Sequence, residues 1–68
     1  MSLTQSQEEL ITLFRETKAP ILTAPEVGEE FGITQQAAYN RLKRLHDEGV
    51  VARKEVGSRA VAWWLREN

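Results

Sequence analysis

A chain of 68 residues supports one small domain spanning 1–68, and with no cysteine it has neither a disulfide nor a thiolate zinc site to reinforce a modest core. Its 41% hydrophobic and 28% charged residues exclude a disordered tail. The net charge of −1 hides a division: residues 1–31 carry two basic and six acidic side chains, whereas residues 32–68 carry seven basic and four acidic, so the second half has the local positive charge that a nucleic-acid surface needs.

The first helix is predicted from about Gln5 to Lys18. Thr4-x-x-Gln7 and Ser6-x-x-Glu9 both have the form of a capping box, which leaves the start open by two residues. Leu10, Leu13, Phe14 and Thr17 fall on one face at helical spacing, with Ile11 at its edge. Pro20 disfavours helix at Ala19 and ends the element. Ile21-Leu22-Thr23 is too short for a helix and suits a short strand. Thr23-Ala24-Pro25-Glu26 then reads as a cap, a first-turn proline and a box-closing glutamate. The second helix runs to about Phe31, burying Val27 and Phe31, and Gly32-Ile33 makes the turn.

Thr34 caps a third helix, from Gln35 to about Glu48, which Gly49 terminates. At about 100° per residue, Ala38, Leu42 and Leu45 stay within about 40° of one another, so this face belongs to the core. Gln36, Asn40 and Lys43 form a stripe almost opposite, at about 160–200° by the same geometry. The remaining segment alternates at strand period, Val50 to Val56 and Arg59 to Leu65, around Gly57-Ser58. A two-residue turn there sets Val56 opposite Arg59, Lys54 opposite Val61, Ala52 opposite Trp63 and Val50 opposite Leu65. Val51, Arg53 and Glu55 then share the other face with Trp64, Ala62 and Ala60.

The fold class expected is α+β, mainly α: a winged helix-turn-helix of three helices followed by a two-stranded hairpin wing, with a possible short strand at 21–23. Two helices joined by a tight glycine turn, the second anchored on one side and polar on the other, suit insertion into the major groove. Base edges distinguish sequences well there, and amides, lysine and arginine are the side chains that read them. The DNA-binding candidates on this helix are Thr34, Gln35, Gln36, Tyr39, Asn40, Lys43 and Arg44.

The segment 32–65, GITQQAAYNRLKRLHDEGVVARKEVGSRAVAWWL, resembles the recognition helix and wing of winged-helix repressors. It is similar to the multiple-antibiotic-resistance and arsenical-resistance repressor families in its Gly-Ile-Thr-Gln start, Leu42, Leu45, Gly49 and basic hairpin. It resembles still more closely small winged-helix regulators of halophilic archaea and their phages, through TAPEV at 23–27, AYN at 38–40 and VGSRAVAWW at 56–64. The resemblance covers about residues 21–65. It implies a transcription regulator whose wing lies on the DNA backbone or minor groove, a role that falls on Arg53, Lys54 and Arg59. The arsenical-type metal ligands are absent, so metal sensing does not carry over.

Other functions find little here. His46 is the single histidine, and with Asp47 and Glu48 expected on different sides of the helix it builds no metal site. Ser58 has no nearby base to make it a nucleophile, and no glycine pattern cradles phosphate, so neither enzyme activity nor a cofactor is expected. No apolar stretch approaches a membrane span. The N-terminus lacks a basic region followed by an apolar one, so a cytoplasmic protein without a signal peptide is expected. Trp63 and Trp64 point to opposite faces of one strand. Trp63 joins the core most simply, with Val50, Ala52 and Leu65; Trp64 with Val51 is either a second packing layer or a homodimer contact. The expected partners are double-stranded DNA and a second copy, with no membrane and no small-molecule effector. The rival reading is a winged helix used for protein interaction without specific DNA binding.

Overall fold

The computed structural model describes residues 4–17, 20–57 and 60–66. Three helices, α1 (Gln5–Glu16), α2 (Ala24–Phe31) and α3 (Gln35–Asp47), precede an antiparallel hairpin of β1 (Val51–Val56) and β2 (Ala60–Leu65). This is the winged-helix arrangement that the sequence predicts.

Local chemistry sets most of the boundaries. Thr4, not Ser6, caps α1: its side chain accepts from Gln7 N and the Gln7 side chain returns to Thr4 N at 2.8 Å. The helix stops at Glu16, two residues short of the predicted Lys18, because Thr17 is already extended (φ −72°, ψ 144°). A second box, Thr23 with Glu26, opens α2. Thr34 caps α3 through Ala37 N at 3.1 Å. Gly32 and Gly49 take positive φ after α2 and α3. Beyond each glycine the next residue turns back on its helix, Ile33 N to Gly28 O and Val50 N to Leu45 O, both at 2.9 Å. These bonds satisfy carbonyls that the helix ends would otherwise leave open.

The core gathers Leu10 and Phe14 of α1, Leu22, Ala24 and Val27, the Ala38-Leu42-Leu45 face of α3, and Val51 and Trp63 of the hairpin. Phe31, predicted as buried, is half-buried at the edge of this cluster. The predicted strand at 21–23 reduces to a single bridge, Leu22 with Trp63.

The hairpin register differs by one residue from the predicted one. Val56 pairs with Ala60, Lys54 with Ala62, Arg53 with Trp63 and Val51 with Leu65, which leaves residues 57–59 as the connection. Gly57 enters it at φ 73°. A two-residue turn would put Val51 and Trp63 on opposite faces. Both are completely buried, and the three-residue connection is what lets one face of the hairpin bury both. Trp63 therefore joins the core as expected, but its companions on that face are Val51 and Leu65, not Val50 and Ala52.

Candidate nucleic-acid interface

The helix-turn-helix is built by a close approach of α2 to the turn that follows it. A Cβ on Gly28 would stand 2.9 Å from the Ile33 carbonyl oxygen and 3.4 Å from that of Thr34, so glycine lets the turn fold against α2. The Arg41 guanidinium lies 6.0 Å from the centre of the Phe31 ring and adds a cation–π contact between the two helices. With Ala38, Leu42 and Leu45 fully buried, the opposite side of α3 is fixed as an outward surface.

That surface presents Gln36, Asn40, Lys43 and Arg44, all exposed, with Tyr39 half-buried beside them; Thr34 and Gln35 are exposed at the start of the helix, toward its buried face. The Thr34 hydroxyl is engaged as the helix cap. Gln36 Nε2 donates to Asn40 Oδ1 at 3.1 Å, one helical turn apart, so the two amides hold each other and keep a carbonyl and an NH2 facing outward.

On the hairpin, Lys54 is exposed and Arg53 is half-buried. Arg53 Nη1 donates to the Tyr39 hydroxyl at 3.3 Å, and its guanidinium sits 5.4 Å from the centre of a Trp63 ring. Tyr39 and His46 each meet Trp63 edge-on, at centroid distances of 5.8 and 6.2 Å. Trp63 Nε1 is buried and, among the described residues, has no hydrogen-bond partner. Where the start of α2, the first turns of α3 and β2 meet, a cleft of about 380 Å³ opens between Pro25, Gln35, Tyr39 and Val61. Arg59 and Ser58 lie outside the described residues.

Acidic side chains are densest elsewhere, although Asp47 ends α3 and Glu55 follows Lys54 on β1. Glu16, Glu26, Glu29 and Glu30 line a groove between α1 and α2, whereas Lys43, Arg44 and Lys54 belong to α3 and the hairpin. The charge bias read along the chain thus becomes an acidic excess on α1 and α2 and a basic excess on α3 and the hairpin. His46 comes within 3.9 Å of Asp47, closer than their expected placement on different sides of the helix. Among the described residues no three His, Asp or Glu side chains gather where a metal could be held. No described helix is long and apolar enough to cross a membrane.

One candidate is corrected: Val51, read with Trp64 as either a second packing layer or a homodimer contact, is completely buried in the core and offers no surface to a partner. The register shift is the cause, since it carries Val51 to the face of Trp63. Trp64 faces the other way, half-buried opposite Ala52. Sequence reasoning missed Gly28, whose signal was a glycine inside an otherwise helical pattern. It also missed the hydrogen bond of 2.7 Å from Gln7 Nε2 to Glu48 Oε2, which ties the start of α1 to the end of α3 and spans 41 residues.

A family model described as "HTH domain" matches residues 6–59. Among solved structures, the chain is similar to Lactococcus lactis ZitR, a cysteine-to-serine mutant in complex with DNA, with a TM-score of 0.80 and 28% identity over 97% of this chain. It is also similar to a second structure of Lactococcus lactis ZitR, described as a zinc-responsive MarR family member, with a TM-score of 0.78 and 25% identity over 98% of this chain. The chain spans 44% and 46% of the lengths of those two chains. No curated protein sequence matches it.

Proposed function

This chain belongs to the HTH domain family, and from that premise we propose that it binds double-stranded DNA sequence-specifically as a transcription regulator. The observation that carries the reading is α3, whose Ala38-Leu42-Leu45 face is fully buried while Gln36, Asn40, Lys43 and Arg44 stand exposed on the other side and Gln35 is exposed at the helix start. A helix so anchored fits the major groove, where an amide pairs with adenine through one donor and one acceptor and a basic side chain reaches guanine or phosphate. The Gln36–Asn40 bond supports this, because it holds the two amides in one orientation before DNA arrives. Thr34 and Tyr39 flank the readers. Lys54 and Arg59 of the wing neutralise phosphates, which adds affinity without specificity.

We further propose that two copies act together in the cytoplasm, their recognition helices about 34 Å apart on a two-fold-related site. Trp64 is the contact residue that remains for this dimer once Val51 is placed in the core. The DNA in one of the ZitR structures belongs to that protein and supports the reading by analogy of fold. Its counterpart's zinc response is not carried over, since the described residues gather no metal-holding group. The reading calls for no cofactor, no small-molecule effector and no enzymatic step.

Selection from random duplex DNA tests it. A recurrent sequence recovered over successive rounds is the expected result, and recovery without enrichment of any sequence would oppose it.

A further inference from the structure

We infer that Arg53 is a positioning residue, which locks the wing to the recognition helix through the Tyr39 hydroxyl and the Trp63 ring and acts on DNA through Tyr39 instead of neutralising a phosphate. The inference deepens the DNA-binding reading and rests on it. Three side chains meet pairwise, and two of the three contacts are made by Arg53. Arg53 Nη1 donates to Tyr39 at 3.3 Å, the guanidinium lies 5.4 Å from the centre of a Trp63 ring, and Tyr39 meets Trp63 edge-on at 5.8 Å. Arg53 is also the direct cross-strand partner of Trp63, so the strand register brings the two together.

The assembly is anchored at its inner end. Trp63 is completely buried and exchanges both backbone hydrogen bonds with Leu22. From there the contacts run through Arg53 to Tyr39, which lies on α3 three residues after Gln36 and four before Lys43. The angle between wing and recognition helix determines whether both can engage one stretch of duplex. A loss of order here misplaces the readers although none of them has been altered. Lys54, the next residue, is exposed, in contrast to the half-buried Arg53. Neighbouring bases on one strand thus divide the work: Arg53 faces inward to the aromatic pair, and Lys54 faces the solvent.

Lysine cannot replace arginine in this role, because a point charge lacks the planar fork that stacks on a ring while donating sideways. The free protein supplies the first arm of the test. In a double-mutant cycle on denaturant unfolding, Arg53→Lys and Tyr39→Phe should couple by about twofold or more in the unfolding equilibrium constant. Additive effects would overturn the contact whatever the DNA results. The second arm uses duplex carrying a selected site. Arg53→Ala and Arg53→Lys should both weaken binding, Tyr39→Phe should add little to either, and the dependence on salt should keep the wild-type slope. A slope lower by about one unit in Arg53→Ala, restored by Arg53→Lys, would make Arg53 a phosphate ligand and overturn the inference. Coupling in the free protein, in a chain that selects no sequence, would count against the DNA reading and leave the contact itself standing.

Discussion

Leu22 and Trp63 exchange two backbone hydrogen bonds, Leu22 N to Trp63 O and Trp63 N to Leu22 O, each 2.9 Å long. This pair joins the segment ahead of α2 to the second strand of the wing, so the helix-turn-helix and the hairpin share one anchor. Trp63 also fills the centre of the core. A domain of this size has roughly 0.05–0.15 kcal/mol of stability per residue, and truncating a buried tryptophan to alanine costs about 3–5 kcal/mol. Trp63→Ala is therefore expected to abolish cooperative unfolding or bring its midpoint close to zero denaturant, as followed by circular dichroism in urea. A loss under about 1 kcal/mol would mean that the hairpin does not depend on this anchor.

Gly28→Ala sets two effects against each other. Alanine is the better helix former, by about 1 kcal/mol in a helix interior. The added methyl group, however, meets the Ile33 carbonyl oxygen at 2.9 Å, and backbone cannot swing aside as a flexible side chain can. Overpacking of this kind costs about 1–3 kcal/mol, so the net expectation is destabilisation with α3 displaced from α2. Unchanged or increased stability in a urea titration would show that the turn yields freely.

These two sites mark the limit of what local sequence patterns convey. Thr23-Ala24-Pro25-Glu26, Thr34, Gly32 and Gly49 act within a few residues of themselves, and the helices begin and end where those residues direct. The core face of α3 was legible for the same reason, since Ala38, Leu42 and Leu45 declare a helical period. The hairpin register was not. Gly57-Ser58 suits a two-residue turn, and the alternation of side chains fits either pairing; burial of Val51 beside Trp63 decides between them. The homodimer alternative for Val51 failed with the register. The Arg53–Tyr39 bond joins a strand to a helix across 14 residues, and no spacing rule foretells such a pair. On the recognition helix Gln36, Asn40, Lys43 and Arg44 were legible because they are the complement of the buried stripe.

Lys54 supplies a test of the wing. It is exposed on β1, next to the inward-facing Arg53. Lys54→Ala is expected to weaken binding to specific and non-specific duplexes alike and to lower the salt slope by about one unit. Binding isotherms at several salt concentrations read this directly. An unchanged slope would place the wing away from the phosphates.

Trp64 separates packing from assembly. Trp64→Ala is expected to leave a cooperatively folded domain, with a loss well below the ~3–5 kcal/mol of the buried tryptophan, and to shift sedimentation toward the monomer. A strict monomer in the wild type, both free and on DNA at concentrations well above the binding constant, would rule the dimer out. Collapse of folding in Trp64→Ala would make this residue part of the core.

The most direct measurement of the central claim is binding of Gln36→Ala, Asn40→Ala and the double variant to the selected site and to its single-base changes. If α3 reads bases in the major groove, each amide lost should cost about 1–3 kcal/mol on the selected site and relax the preference at one position. Because Gln36 donates to Asn40, the double variant should lose less than the two single losses together. Non-specific affinity should barely change. Retention of both affinity and sequence preference in the double variant would contradict the assignment of α3 as the recognition helix.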